Sequence, residues 1–486
     1  MTSNAIHTGF LDRAARTPGA VAIAAPALTY GELLSRALRL AAAFRSAADL
    51  RHRRPIMIIG DKSPIAVEAI LAASLTGLGY TYGIPRQRAS RLSSMVEQLR
   101  PSLIVDVGSE EWDHNPEAIA HGLPVIKCPT VLPEDAIEPV LRPDGCAYTF
   151  FTSGSTGGPK GVVVSQSTAW HAQRAYIADV GLNSKDNVCS EMGLGFDVST
   201  IDVFATLAVG ATLDLTPDAV VEDPRALFHH LVERNITRLF TVPTVACQML
   251  EIEPNAAEQL SHLNLSLTGE LIPGRLAELL RPLIAQGRVS NQYGATEFPF
   301  GLSRRLTLAD IARPNVIDNP TGGSPVSVRL SDLGDVTVTG PGLFSGYVLP
   351  QTDFTAPLHP VESFMTGDRA EPEAPGVLRL LGRSDSQCRK DGHRIELREI
   401  ECAVELLADV GLCYATYDGK ANHIIARVTA KGGETEHLDL TAVALHLKRV
   451  LPDYMLPARI EQLADAPRTL SGKKRYQGIA EARIVS

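Results

Sequence analysis

A glycine-rich loop with four hydroxyl side chains and one lysine is the segment best suited to bind phosphate. It reads TSGSTGGPKG over residues 152–161 and directly follows the apolar stretch CAYTFF. Glycine lets a phosphate approach the backbone closely, hydroxyl and amide groups donate hydrogen bonds, and the lysine supplies positive charge. A Walker A motif is excluded, because there Ser or Thr follows the lysine, whereas Pro159 and Gly161 flank Lys160 here. The sequence therefore predicts a phosphate site of another class.

The elements that must position this loop alternate between short β-branched runs and longer helical patterns. Such alternation is typical of α/β proteins in which mostly parallel sheets are covered by helices. Buried strands are predicted at 56–60, 102–108, 123–128 and 238–242, and helices at Ile65–Leu78, Pro224–Arg234 and Arg275–Gln286.

The pattern changes twice towards the C-terminus. Residues 325–385 contain short strands separated by Gly and Pro, which predicts a small β-rich module. The last hundred residues predict an α+β unit, with a helix over 395–409, a strand over 422–430 and a helix over 441–452. We place the main boundary in the loop GRSDSQ, so that residues 1–384 form a large core and residues 385–486 a small mobile domain.

Composition excludes several classes of protein. The chain has 486 residues and a net charge of −9, which argues against nucleic acid as a partner because phosphate binding needs a basic surface. No uncharged apolar run is long enough to cross a membrane. The seven cysteines form no CxxC pair, which favours a reducing, cytoplasmic location over a disulfide framework.

The phosphate loop is similar to the signature of the adenylate-forming enzymes, which are the acyl-CoA synthetases, luciferases and adenylation domains of nonribosomal peptide synthetases. Further segments resemble the family's motifs in the family's order, and they extend over nearly the whole chain: LTYGEL (28–33), GFDVSTIDVFATLAVGATL (195–213), NQYGATE (291–297), GPGLFSGY (340–347), MTGD (365–368), GRSD…DGHRIELREIE (382–401) and SGKK (471–474). The chain most resembles a free-standing amino-acid adenylation domain.

The resemblance implies that a carboxylate attacks the α-phosphorus of ATP and that pyrophosphate leaves. Tyr293 would pack against adenine, Thr296 would contact the α-phosphate, Asp368 would accept hydrogen bonds from the ribose hydroxyls, and Glu297 would bind Mg²⁺. The full set implied in nucleotide binding is Thr152, Ser153, Gly154, Ser155, Thr156, Lys160, Gly269, Asn291, Tyr293, Thr296, Asp368 and Arg383.

The resemblance also assigns the catalytic lysine and the hinge. Lys473 would insert into the site and bridge the substrate carboxylate and the ATP phosphates, for which a compact ammonium group is well suited. Lys474 is the alternative, but the position after Gly472 favours Lys473, and a basic run is otherwise a solvated face. Asp385 would be the residue about which the small domain turns.

Asp197 distinguishes amino-acid-activating members from acyl-activating ones, because a buried α-ammonium needs a carboxylate partner. The alternative is that Asp197 caps the following helix. The remaining residues predicted to contact the substrate favour a small or medium neutral α-amino acid: Phe196, Val198, Ile201, Phe240, Ser266, Thr268, Gln292, Phe300 and Gly301.

The predicted acceptor is the phosphopantetheine thiol of a separate carrier protein, because no carrier domain follows Lys473 in the chain. Two other functions stay open at this stage. One is an acyl- or aryl-CoA ligase, and the other is an ATP-binding protein that has lost its ligase activity.

Overall fold

A computed structural model describes most of the chain. The described residues are 4–84, 89–108, 119–128, 133–153, 159–253, 255–320, 323–383, 387–390, 393–418, 421–433, 436–451, 453–469, 474–476 and 478–485.

Helices and strands alternate through the first three hundred residues. The helices are α1 (Thr8–Arg16), α2 (Tyr30–Ala47), α3 (Pro64–Leu75), α4 (Ala89–Leu99), α5 (Gln166–Val180), α6 (Val198–Thr200), α7 (Thr206–Val209), α8 (Asp218–Val221), α9 (Pro224–Glu233), α10 (Pro243–Leu250), α11 (Ala256–Gln259), α12 (Gly274–Leu279), α13 (Arg281–Ala285), α14 (Leu397–Val404) and α15 (Leu440–Val450). A π-helical turn, Ile201–Ala205, joins α6 to α7.

The strands are β1 (Val21–Ile23), β2 (Leu28–Thr29), β3 (Ile56–Ile59), β4 (Tyr80–Gly83), β5 (Ile104–Asp106), β6 (Val125–Lys127), β7 (Cys146–Ser153), β8 (Pro159–Ser165), β9 (Asn187–Cys189), β10 (Thr212–Asp214), β11 (Arg238–Thr241), β12 (Asn264–Thr268), β13 (Val289–Ala295), β14 (Phe298–Arg305), β15 (Val316–Ile317), β16 (Ser327–Leu330), β17 (Asp335–Thr339), β18 (Phe364–Ala374), β19 (Val377–Arg383), β20 (Gln387–Lys390), β21 (His393–Glu396), β22 (Val410–Asp418), β23 (His423–Ala430) and β24 (Arg459–Leu463).

Two large sheets carry the first part of the chain. One has the strand order β14-β13-β12-β11-β9-β10-β1-β2 and the other β6-β5-β3-β4-β7-β8. The pairs inside both sheets are parallel, and antiparallel pairs occur only at the edges, where β2, β14 and β8 join. The predicted α/β class with packed, mostly parallel sheets is therefore confirmed.

A single apolar core joins the two sheets. It includes Ile23 and Leu213 of the larger sheet, Ile58 and Tyr148 of the smaller one, and the buried faces of α2 and α3. Helix α3 is buried along nearly its whole length, which explains why its sequence is apolar without an amphipathic period. Ser63 caps its N-terminus by accepting a hydrogen bond from the amide of Ala66.

The β-rich module predicted from residue 325 is a five-stranded antiparallel sheet with the order β15-β19-β18-β17-β16. Its longest strand, β18, was not predicted, because acidic residues and Pro372 interrupt the β-branched pattern. The pairing of β18 with β19 shifts register between Pro372 and Ala374, and such irregularities are where a proline fits into a strand.

The C-terminal residues form a three-stranded sheet, β22-β23-β24, packed with α14 and α15 around its own apolar cluster. The helix predicted over 395–409 is shorter, because the residues before Leu397 form β21. This unit contacts the larger part of the chain through Arg275, which donates to the carbonyl of Val410 at 2.8 Å, and through a 3.0 Å ion pair between Lys431 and Glu251.

The helix prediction over 275–286 was also wrong. The pattern there predicts a single helix, but α12 and α13 are separate and meet at Leu280. Pro282 lies in the first turn of α13, where its missing amide hydrogen costs no hydrogen bond. A proline inside a longer helix would have removed one.

Candidate active site

The strands on either side of the phosphate loop form a hairpin. Thr152 on β7 is the register partner of Lys160 on β8, and its hydroxyl donates to the Lys160 carbonyl at 3.5 Å. Gly154, Ser155 and Thr156 lie outside the described residues, as does the side chain of Ser153. The hairpin therefore fixes the two ends of the loop at the edge of the six-stranded sheet.

Tyr347 contacts both Lys160 and Glu297. The Lys160 Nζ lies over the Tyr347 ring, 3.4 Å from its centroid, in a cation–π arrangement. The Tyr347 hydroxyl donates to Glu297 Oε1 at 2.9 Å. Burial, and then the neighbouring Glu297, raise the pKa of Tyr347, so its hydroxyl stays protonated and remains a donor at neutral pH. An exposed ammonium and a carboxylate are thus held on one aromatic ring.

Backbone hydrogen bonds hold Tyr347 in this position. The amides of Ser345 and Val348 donate to the carbonyls of Val163 and Gly161, at 2.7 and 2.8 Å. The amide of Phe344 donates to the Glu297 carbonyl at 2.8 Å. The segment 344–348 therefore joins β8 to the turn that carries Glu297.

Tyr293 and Asp368 are directly hydrogen-bonded. The Tyr293 hydroxyl donates to Asp368 Oδ2 at 2.7 Å, and the ring packs edge-on against Phe298 at 5.3 Å. Gly367 precedes Asp368 with φ at +74°, a left-handed conformation that glycine adopts without strain. The aromatic ring and the carboxylate predicted for adenine and ribose are therefore neighbours.

Glu297 suits a magnesium ion that takes most of its ligands from phosphates. It is half-buried in the turn between β13 and β14, next to Thr296. Within the described ranges, no group of three or more His, Cys, Asp or Glu side chains could hold a metal. Mg²⁺ usually uses one or two carboxylates together with phosphates and water, and a single Glu is compatible with that mode.

Asp197 does not cap the helix that follows it. It immediately precedes α6 in a helical conformation, and its side chain makes no capping hydrogen bond. Instead, the hydroxyl of Thr200 donates to the Asp197 carbonyl at 2.7 Å, and that of Ser199 to the Phe196 carbonyl at 2.6 Å. The half-buried carboxylate lies close enough to Tyr148 to raise the pKa of that phenol, after burial as the larger cause. The alternative interpretation of Asp197 as a helix cap is not supported.

The residues predicted to surround the substrate side chain come from four neighbouring strands, β11 to β14, and from the helical segment that begins at Val198. Ile201, Phe240 and Phe300 belong to one buried apolar cluster, and Val198 packs against it. Thr268 and Gln292 are register partners on β12 and β13, and the amide of Gln292 donates to the hydroxyl of Ser266 at 3.4 Å. Gly301 follows Phe300 on β14, where a Cβ atom would meet the Tyr293 carbonyl at 2.9 Å. Ile201, Phe240, Phe300 and Val198 are therefore in contact in one cluster, and Ser266, Thr268 and Gln292 are neighbours on the adjoining strands.

The structure places three other predicted positions, and it shows side-chain contacts for one of them, Asn291. The amide of Asn291 is 3% exposed and donates to the carbonyls of Val316 and Pro314 at 3.0 and 3.4 Å, which fastens β13 to β15. Gly269 follows β12 with φ at +79°. Arg383 is the backbone register partner of Asp368, and its side chain is not described.

Lys473 and Asp385 lie outside the described residues, but Lys474 is described. Its Nζ is buried, donates to Glu401 Oε2 at 3.0 Å and to the Cys413 carbonyl at 2.6 Å, and also pairs with Glu405. Burial and Arg398 lower the pKa of Lys474, but Glu401 and Glu405 together hold it above its usual value. Lys474 therefore does not lie on a solvated face, because its ammonium and the Arg398 guanidinium together pair with the two buried carboxylates.

Sequence reasoning missed Tyr347 as a site residue. The signal was its place at the end of GPGLFSGY, a segment that was recognised without any role for the individual residue. Its contacts to Lys160 and Glu297 bridge three distant parts of the chain, and single-sequence patterns do not report such separations.

Comparisons with known proteins show the family and the relatives that this chain resembles. The sequence profile of AMP-binding enzymes matches residues 10–348. The chain is 29% identical over 471 residues to the Delta-poly-L-ornithine synthetase of Acinetobacter baumannii, covering 92% of this chain and 34% of that protein. It is 26% identical over 474 residues to the D-alanine–D-alanyl carrier protein ligase of Staphylococcus epidermidis, covering 93% of this chain and 94% of the relative. It thus spans about a third of one relative and nearly all of the other.

The fold has close structural neighbours. The anthranilate CoA ligase AuaEII in complex with anthranoyl-AMP superposes with a TM-score of 0.85 at 17% identity, covering 99% of this chain and 98% of that one. At this identity the likeness concerns the fold alone.

Proposed function

The chain belongs to the family of AMP-binding enzymes, and we propose from this that it activates a small or medium neutral α-amino acid as its aminoacyl-adenylate. The substrate carboxylate would attack the α-phosphorus of ATP. The P–O bond to the β-phosphate would break, and pyrophosphate would leave with the bonding electron pair. The aminoacyl group would then pass to the phosphopantetheine thiol of a separate carrier protein, releasing AMP.

The observation that carries this proposal is the carboxylate of Asp197. It has no capping hydrogen bond, is half-buried, and begins the helical segment that contributes Val198 and Ile201 to the apolar cluster. An α-ammonium that leaves water needs such a partner, because an unpaired buried charge costs several kcal/mol. A fatty acid, or an aromatic acid without an amino group, has no group that pairs with this carboxylate.

The nucleotide would lie between two sets of contacts. Tyr293 and Asp368 would bind adenine and ribose, and Lys160, with the phosphate loop, would bind the phosphates. Mg²⁺ held by Glu297 would neutralise phosphate charge. This division is supported by the 2.7 Å bond between Tyr293 and Asp368 and by the cation–π contact of Lys160 on Tyr347.

The small C-terminal unit would act as a lid. We infer that residues 385–486 turn about Asp385 and bring Lys473 to the developing negative charge, while residues 1–384 hold ATP and substrate. The separate apolar cluster of this unit supports independent movement.

The relatives support an amino acid as substrate and a carrier protein as acceptor. One of them is named for joining D-alanine to a D-alanyl carrier protein, and this chain covers 94% of its length. Among the described residues, no helix is both long and apolar enough to span a membrane. We place the enzyme in the cytoplasm on the argument from its cysteines.

The experiment that tests the proposal is amino-acid-dependent exchange of labelled pyrophosphate into ATP, screened over the common amino acids. We expect exchange with one or a few small or medium neutral amino acids. Exchange that depends on a fatty or aryl acid instead would identify an acyl- or aryl-CoA ligase. ATP binding without exchange on any acid would identify an ATP-binding protein without ligase activity.

A further inference from the structure

Tyr176 lies among the residues predicted to surround the substrate side chain, although no sequence motif contains it. It is 5% exposed, on α5, and belongs to the apolar cluster of Ile201, Phe240 and Phe300. Its ring stacks on Phe240, with centroids 5.5 Å apart and planes at 25°, and meets Phe300 edge-on at 6.0 Å. The ring therefore occupies space between two walls of the predicted pocket.

The polar wall of the pocket is also engaged by this tyrosine. Ser266 lies near enough to the Tyr176 phenol to influence its pKa, and it accepts a hydrogen bond from the amide of Gln292 at 3.4 Å. Burial, and then the neighbouring Asp202, raise the pKa of Tyr176, so the phenol stays neutral. A substrate side chain that reaches Ser266 would therefore meet the Tyr176 phenol.

The helix that carries Tyr176 is firmly fixed. Helix α5 has fifteen residues, and Ser165 caps it by accepting a hydrogen bond from the amide of Thr168. Gln173, on the same helix, donates to the Phe204 carbonyl at 2.6 Å, beside the π-helical turn. A tyrosine has only two side-chain torsions, so a ring packed on two others on a fixed helix has little room to move.

We propose that Tyr176 is a specificity-determining residue that closes the deep end of the side-chain pocket and limits the substrate to glycine or alanine. This inference rests on the proposed function and narrows its substrate class. Each methylene group that a pocket excludes or admits changes relative kcat/KM by roughly 10- to 200-fold. A ring in the deep end therefore suffices to separate alanine from leucine.

The test compares kcat/KM for pyrophosphate exchange with glycine, alanine, leucine and phenylalanine. The wild-type enzyme should prefer glycine or alanine to leucine by at least about 100-fold. Tyr176→Ala should raise kcat/KM for leucine about tenfold or more and lower it for alanine. Tyr176→Leu keeps an apolar side chain in the cluster and is therefore the better-packed variant. It should also raise kcat/KM for leucine, but by less than Tyr176→Ala does.

Two matched controls separate pocket size from general damage. Tyr176→Phe removes only the hydroxyl and should keep the preference for small substrates. Trp170→Ala removes a large ring from the same helix at a position outside the cluster, where Trp170 contacts Arg174 and His171, and should keep the wild-type order of substrates. Melting curves identify any variant that does not fold.

The outcomes are distinguishable. A wild-type enzyme that exchanges with amino acids but prefers leucine or phenylalanine overturns this inference and leaves the proposed function intact. Folded Tyr176→Ala and Tyr176→Leu variants with an unchanged substrate order also overturn it. A wild-type enzyme without exchange on any amino acid contradicts the proposed function as well.

Discussion

At the scale of single residues, the proposed reaction depends most on the lysine that meets the developing charge. We predict that Lys473→Ala lowers the rate of pyrophosphate exchange by about 10²–10³-fold. Removing one preorganised donor to the charge of a transition state typically lowers kcat by roughly that factor. ATP binding, measured by calorimetry, should change little, because the other phosphate contacts come from the large core.

The matched control is Arg475→Ala, which removes an exposed positive charge two positions away. Lys474 is unsuitable as a control, because its removal would leave two buried carboxylates, Glu401 and Glu405, sharing the single charge of Arg398. Normal exchange in Lys473→Ala would assign the catalytic charge to another residue.

Asp197 is the residue on which the substrate class depends. We predict that Asp197→Ala lowers kcat/KM for the preferred amino acid by about 30- to several-thousand-fold, because truncating one partner of a buried charge pair costs about 2–5 kcal/mol. Activity with the des-amino acid should stay the same or rise, because that substrate has no ammonium to pair.

A helix-capping role predicts something different for this variant. It predicts about 1 kcal/mol less stability and equal effects on both substrates. Measuring the two substrates and a melting curve on wild type and Asp197→Ala separates the roles.

Candidate site residues could be identified from the sequence where a short motif contains them. They were missed where only contacts between distant segments mark them. The pairing of Tyr293 with Asp368 joins two motifs that were both identified, 75 residues apart. Tyr176 has no motif, because a buried tyrosine on an ordinary helix resembles any core residue until Phe240 and Phe300 pack against it.

At the scale of elements, the segment after Lys473 is fastened to α14 by a buried charge cluster. Lys474 pairs with Glu401 and Glu405, and Tyr476 donates to both oxygens of Glu401 at 2.8 Å. We predict that Lys474→Met destabilises the small unit by about 3–5 kcal/mol, because breaking a buried ion pair leaves an uncompensated charge.

Urea unfolding measures this loss, and the exposed Lys448→Met on α15 is the control, with no change expected. Adding Glu405→Gln to Lys474→Met should recover part of the stability, because one buried negative charge is removed with the positive one. No recovery would mean that packing, rather than charge, determines the effect.

Element types followed from the sequence where the pattern was regular. Strands β3, β5, β6 and β11 were predicted because short β-branched runs between helices are typical of buried parallel strands. Strand β22 was missed, although Cys413 and Tyr414 are fully buried, because its small residues give no alternation. In both β18 and β22, sheet pairing outweighed a weak local preference.

At the scale of the whole molecule, family membership confirms the resemblance that the motifs indicate.

Buried carboxylates make the stability of the whole molecule depend on pH. Glu191 is 4% exposed, and burial raises its pKa from 4.5 to about 7, although Thr241 and Lys62 lower it. Asp202, also buried, lies near enough for Glu191 to raise its pKa further.

The folded-state pKa of Glu191 is above the unfolded value. Its contribution to the free energy of unfolding is therefore most favourable below pH 4.5 and is lost as pH rises to about 7. At pH 8, Glu191→Gln should therefore have a higher free energy of unfolding than wild type, by up to about 3 kcal/mol. At pH 5 the difference between the two proteins should be much smaller. Unfolding curves at both pH values measure this.

The exposed Glu258→Gln is the control and should leave the difference between the two pH values unchanged. If the free energy of unfolding changes by the same amount from pH 5 to pH 8 in wild type and in Glu191→Gln, the raised pKa of Glu191 is contradicted.

The central claim is that this AMP-binding enzyme activates an amino acid through its ammonium group as well as its carboxylate. The most direct measurement compares pyrophosphate exchange by the wild-type enzyme with its preferred amino acid and with the matching des-amino acid, for example alanine and propionate. The account predicts exchange with the amino acid that exceeds exchange with its des-amino counterpart by at least about 30-fold in kcat/KM. Equal exchange, or a preference for the des-amino acid, would contradict it.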